Sequence, residues 1–134
     1  RLDANDQPLH TWHSLTMPAT QSRASQNRDE IPPGTLYLLI LRTLSRRQPL
    51  HGFEIASAIQ DGTEGVLQVE EGSLYPALQR MLLKGWVTAE WGSTAGNRRA
   101  RYYQLTSLGG KQLEVELSQY RRVNLAIQKL LQPA

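Results

Sequence analysis

Two clusters in this 134-residue chain carry groups that could do chemistry. The first is EGSLYPALQRMLLKGW, Glu71 to Trp86. Laid out at about 100° per residue, Leu74, Ala77, Leu78 and Met81 share one helical face and Leu82 borders it. The other side carries Pro76, Gln79 and Arg80, with Tyr75 at its border. Gln79 can pair with an adenine edge, and Arg80 with a guanine edge or a phosphate. Tyr75 can bond a phosphate or stack. The second cluster is NRRAR, Asn97 to Arg101. Arg98, Arg99 and Arg101 fall within it with no lysine between them, and the planar guanidinium fork suits phosphate oxygens.

Other chemistries are poorly served. The chain has no cysteine, which removes disulfides, thiolate nucleophiles and sulfur-bound zinc. Its histidines are His10, His13 and His51. The first two form an H-x-x-H pair in a polar leader, and His51 serves the turn before a helix. No paired carboxylates, nucleophile–base set or glycine-rich phosphate loop is present. The expectation is a protein that is not an enzyme and needs no metal or cofactor. The longest apolar run, Leu36 to Leu41, is far short of the roughly 20 residues a membrane span needs. No secretory pattern precedes it, so a cytoplasmic location is expected. The net charge is +3; residues 31–134 hold twelve Lys/Arg against eight Asp/Glu, whereas residues 1–30 are net acidic.

The flanking pattern must position the two clusters. Residues 1–30 are polar and aperiodic and read as a disordered tail. Met17 offers an alternative start, with 1–16 upstream of it. Pro32 and Pro33 stop anything before them, and Thr35 can cap a helix to about Arg46. That helix is apolar nearly all round, so it needs cover on more than one side, which hints at a partner chain. QPLHG reads as a turn, and FEIASAIQDG as a helix with Phe53, Ala56 and Ile59 inward and Gly62 as a stop. VLQVE, Val66 to Glu70, suggests a short strand. Ser73 is the expected N-cap of the next helix, Gly72 to Lys84. That places Pro76 in the first turn, where a missing N–H costs nothing, and leaves a helix N-terminus suited to phosphate.

WVTAEW then alternates, with Trp86, Thr88 and Glu90 on one side and Val87, Ala89 and Trp91 on the other. GSTAGNRRA reads as a loop and RYYQLT as a second strand, giving a hairpin with a basic tip. Tyr102 and Tyr103 face opposite sides, one toward the core. Thr106 or Ser107 can cap a last helix, Leu108 to about Leu131. Along it Leu113, Leu117, Tyr120, Asn124, Ile127 and Leu131 step by four and three, a heptad seam with a polar Asn124 that can fix register. The order of elements defines a mainly α chain with a small β-hairpin: a winged helix-turn-helix over 31–107 and a C-terminal dimerisation helix over 108–134.

With these elements in place, PPGTLYLLILRTL, PLHGFEIASAI, QVEEGSLYPALQRM, KGWVTAEWG, NRRARYYQLTSLG and KQL resemble the PadR family of bacterial transcriptional regulators. The match covers about residues 32–113, and EGSLYPAL followed by RYYQLT is specific. The resemblance implies a winged-helix repressor, often released from DNA by a small, commonly aromatic, molecule. Departures are Leu82 and Leu83 where relatives are acidic, Gly110 where a basic residue is usual, and Phe53 in place of Tyr.

The resulting expectation is a homodimeric repressor that reads a near-palindromic double-stranded operator. Ser73, Tyr75, Pro76, Gln79, Arg80, Asn97, Arg98, Arg99, Arg101 and Tyr102 form its DNA surface. Any effector would meet Trp86, Trp91 or Tyr120 at the dimer interface, although such aromatics are more often core. The alternative is a winged-helix adaptor that binds protein rather than DNA, with outward-facing Leu83 as a contact.

Overall fold

The computed structural model describes residue 31 and residues 34–133, so the tail, its H-x-x-H pair and the choice of start lie outside the described residues. Four helices and three strands follow in the order α1 (Leu36–Arg46), β1 (Leu50–His51), α2 (Gly52–Gly62), α3 (Glu71–Leu83), β2 (Val87–Ser93), β3 (Arg99–Leu105) and α4 (Ser107–Leu131). The strands form one antiparallel sheet in the order β1-β3-β2.

The core forms where the apolar faces of α1, α2 and α3 meet the sheet. Ile40, Leu41, Leu44, Ile55, Leu74, Leu78 and Met81 are its fully buried large side chains. The expectation that α1 needs a partner is corrected here. Leu38, Ile40, Leu41 and Leu44 are buried within the chain, while Arg42, Ser45 and Arg46 give the helix a wet face. On α2 the inward residues are Gly52, Ile55, Ala56 and Ile59. Phe53 is only half-buried, because a step of three from Ala56 carries it off the apolar stripe, where it stacks on His51.

Helix ends explain two further differences. α2 ends at Gly62 as expected, but the left-handed closure lies further along the chain. The chain turns after Thr63, with Gly65 N–H bonding Gln60 O and Glu64 N–H bonding Asp61 O, and Glu64 takes the left-handed conformation at φ 55°. The turn that follows absorbs VLQVE, which forms no strand: Val69 is buried, but Leu67 makes only an isolated bridge. At the end of α3 the same closure falls on the expected residue. Trp86 N–H reaches Met81 O, Gly85 N–H reaches Leu82 O, and Gly85 has φ 78°.

QPLHG is more than a turn. Leu50 is buried and pairs with Tyr103, so β1 joins the sheet beside β3. Gln48 secures this junction, its side-chain oxygen accepting from Leu105 N–H at 2.7 Å. The hairpin also extends beyond the expected strands, its register running from Val87 opposite Leu105 to Ser93 opposite Arg99. Thr106 is the cap of α4: its hydroxyl accepts from Gly109 N–H at 2.9 Å and donates to Gly85 O at 2.7 Å. Gly109 sits against the backbone of Trp86, where any Cβ would collide with the Trp86 carbonyl. Gly110 faces open space.

Candidate nucleic-acid interface

The cap of α3 differs from expectation, and the difference changes what this end of the helix can do. The N-cap is Glu70, not Ser73, and Ser73 and Leu74 both donate to Glu70 O, at 3.0 and 2.9 Å. Pro76 therefore lies in the second turn and removes the bond to the Gly72 carbonyl. Gly72 is exposed and open around its α-carbon, so that carbonyl can turn to water. Glu70 and Glu71 also place two carboxylates where the helix dipole is positive, which weighs against a phosphate there.

The outer face of α3 stands as expected. Ser73, Pro76, Gln79, Arg80 and Leu83 are exposed, and Leu83 is 78% exposed beside Gln79. Arg80 is not a free side chain. Its Nε donates to the Tyr37 hydroxyl of α1 at 2.6 Å, and its guanidinium lies 5.7 Å from the Tyr37 ring centroid. Tyr37 in turn meets Trp86 edge to face at 5.2 Å. Tyr37 of α1 thus holds Arg80 through Nε, a tie between elements 43 residues apart in sequence.

Tyr75 and Tyr102 converge on the start of α2. The Tyr75 ring and hydroxyl occupy the space a Cβ on Gly52 would need. The Tyr102 ring meets His51 edge to face at 5.2 Å, and its hydroxyl donates to Ser93 O at 3.1 Å. It also covers Gly92, whose missing side chain makes room for the ring. His51 itself caps α2: its imidazole accepts from the Glu54 N–H while the Glu54 carboxylate accepts from His51 N–H at 3.1 Å. Burial pushes the His51 imidazole below its usual 6.5, and Glu54 partly offsets this. Burial, then Glu54, raises the Tyr102 phenol. Thus α2 links the reading helix to the hairpin, and Gly52 and His51 are site-shaping residues that a search for polar faces overlooks. A glycine at the first position of a helix was the available signal.

The hairpin tip is shorter than expected. Thr94 to Arg98 close it: Thr94 N–H bonds Arg98 O at 2.8 Å, and Asn97 turns the chain at φ 63°. Asn97 and Arg98 belong to the tip; Arg99 and Arg101 are strand residues. Trp91 opposes Arg101 across the ladder and is 42% exposed, so it is not core. The Arg99 guanidinium lies 4.4 Å and that of Arg101 5.7 Å from its ring centroid. Tyr103 is the core tyrosine, its phenol raised by burial against a lowering from Arg101. Trp86 and Trp91 lie five residues apart on extended backbone, about 16 Å at about 3.3 Å per residue.

Along α4, Leu113 is buried and Leu117 half-buried against the chain's own core. Beyond them Tyr120 is 45%, Ile127 51% and Leu131 74% exposed, with Asn124 half-buried; Val123 and Leu130 widen the stripe. Among the described residues no cluster of His, Cys, Asp or Glu could hold a metal ion, and no helix is long and apolar enough to cross a membrane.

A helix-turn-helix braced by α1, followed by a basic two-stranded wing, is a winged-helix architecture of the kind that transcriptional regulators use to contact DNA. Comparison with known proteins supplies the family. The transcriptional regulator PadR-like family matches residues 40–115. An uncharacterized protein from Lysinibacillus sphaericus is 30% identical over 96 residues, spanning 72% of this chain and 87% of that protein. Among solved structures, a PadR-like transcriptional regulator from Bacillus cereus superposes with a TM-score of 0.63 at 27% identity, over 75% of this chain and 95% of the other. A PadR family transcriptional regulator from Eggerthella lenta gives 0.64 at 25%, over 86% and 94%. A transcriptional regulator from Clostridium thermocellum shares the fold at 0.67 and 24%, over 74% and 95%. The chain belongs to the PadR-like family of transcriptional regulators.

Proposed function

We propose that this regulator is a homodimeric repressor that binds a near-palindromic operator, reading bases with Gln79 and Arg80 and holding the backbone with Arg98, Arg99 and Arg101. Ser73, Tyr75, Pro76, Asn97 and Tyr102 complete the contact surface. The observation that carries the reading is the joint exposure of the α3 outer face and an arginine-rich wing, tied together through the start of α2. The bare stripe of α4, from Tyr120 to Leu131, supports dimerisation, since a single chain leaves that apolar surface to water. A two-fold pair would set its reading helices about one DNA turn apart.

In-vitro selection of bound DNA, followed by titration at several salt concentrations, tests the proposal. A near-palindrome and an affinity falling steeply with salt are expected. Absence of salt-dependent binding by the purified protein would overturn it. The exposed Leu83 is the one observation favouring a protein-binding adaptor; retention of a protein partner without DNA affinity would select that reading. For a small-molecule effector the chain offers a cleft of about 400 Å³ between α1 and α2, where Arg42, Arg46 and Arg47 surround Leu39, Ala58 and Ile59. An apolar floor with a cationic rim suits an aromatic carboxylate. Benzoate and its hydroxylated analogues should raise the melting temperature and weaken operator binding if the cleft serves this role.

A further inference from the structure

We infer that Trp91 is a positioning residue of the wing, an indole platform that pre-orders Arg99 and Arg101 for the DNA backbone while Arg98 stays loose at the tip. The inference deepens the DNA-binding reading and rests on it. Strand geometry brings the three side chains together: Trp91 pairs directly with Arg101, and Arg99, two residues earlier on β3, lies on the same face. Both guanidinium groups lie within cation–π range of the ring, at 4.4 and 5.7 Å.

Packing alone does not account for this arrangement. A tryptophan 42% exposed, on a strand whose Val87 is buried and Ala89 half-buried, stands beyond the core rather than in it. No carboxylate pairs with either arginine among the described residues, so the indole supplies the contact that an acidic side chain would supply in a structural cluster. A carboxylate there would neutralise the charge; a ring orders it and leaves it available. Arg101 Nε is buried with no hydrogen-bond acceptor, a cost that an arginine serving stability would not carry. With Nε shut in, the guanidinium can offer partners only its terminal N–H edge. Arg98, by contrast, is exposed at the tip, and among the described residues no aromatic ring makes a cation–π contact with it.

Ordering a long side chain before binding removes part of the entropy cost of association. Losing the platform should therefore weaken binding without removing the contacts, whereas losing an arginine removes a contact. The salt dependence separates these cases, since its slope counts phosphates neutralised. The experiment titrates the full-length chain and its Trp91→Ala and Trp91→Phe variants with a duplex of random sequence at several salt concentrations. The same titration is run for Arg99→Ala/Arg101→Ala with and without Trp91→Ala. Trp91→Ala is expected to raise Kd roughly tenfold with an unchanged slope, and Trp91→Phe to stay within about twofold. The arginine pair, four arginines in the proposed dimer, is expected to lower the slope by about 3.6, and adding Trp91→Ala to it should change nothing further. The inference is overturned by a slope lowered in Trp91→Ala, by failure of Phe to rescue, or by an undiminished Trp91→Ala effect without the arginines. If the unaltered chain binds no DNA, the underlying reading falls, a result distinct from any of these.

Discussion

In the proposed function α3 and the wing share one task with different constraints on their side chains. On α3, four buried residues seat the helix and Arg80 is tied to Tyr37, while Gln79 stands exposed on the outer face. On the wing the backbone is a two-stranded projection, yet Arg99 and Arg101 are held against Trp91 before any ligand arrives. Under the proposed function the contrast follows from what each would recognise. A base edge presents a pattern that a rigid helix must meet in register, so precision belongs in the backbone. A phosphate chain is uniform, so charge held in place suffices and the strand beneath it can be slight.

Perturbing each region should break this contrast in a different way. The largest effect belongs to the seat of α3: Leu78→Ala, which empties a fully buried site, should cost about 2–5 kcal/mol in chemical unfolding. Replacing Arg98, Arg99 and Arg101 together with Ala should leave unfolding near that of the unaltered protein. It should lower affinity for every duplex by at least about a hundredfold, with a salt slope smaller by about 5.4 for the six arginines of the proposed dimer. Gln79→Ala should do the reverse, leaving random-sequence affinity intact and losing about 1–3 kcal/mol of discrimination at one base pair, read by competition with single-base operator variants. The smallest effect falls on the link between the regions. The folded His51 imidazole sits below its usual 6.5, so the unfolded chain takes up the proton first. The stability that neutral His51 gives is complete above pH 6.5 and declines as pH falls from there through the lowered folded value, because burial opposes charging the imidazole. His51→Ala should flatten that decline in unfolding curves measured between pH 5 and 8, at a cost of about 1 kcal/mol for the cap.

Periodicity made the core face of α3 and the end at Gly85 legible, since both depend on residues close in sequence. The heptad on α4 was legible for the same reason, and its buried start and bare end appear only when the rest of the chain is in place. The start of α3 was not: Ser73 and Glu70 are both credible caps, and the choice turns on where the buried Val69 anchors the preceding turn. The strand ends were hidden because Gly92 and Gly96 look like loop residues. Gly92 instead makes room for Tyr102, a contact ten residues away in sequence. The roles of Trp91 and Tyr37 were hidden because each is defined by arginines supplied from another element.

The seat of Gly109 on the Trp86 backbone bears on the span of the proposed dimer. From that pivot α4 runs on to Leu131, a lever of about 33 Å at about 1.5 Å per residue. A tilt of about 10° at the pivot would carry the far end through about 6 Å, close to two base-pair steps of about 3.4 Å each. A side chain at position 109 would thus miscalibrate the distance between two wings it never touches, leaving each half able to bind DNA and the pair unable to bind it together.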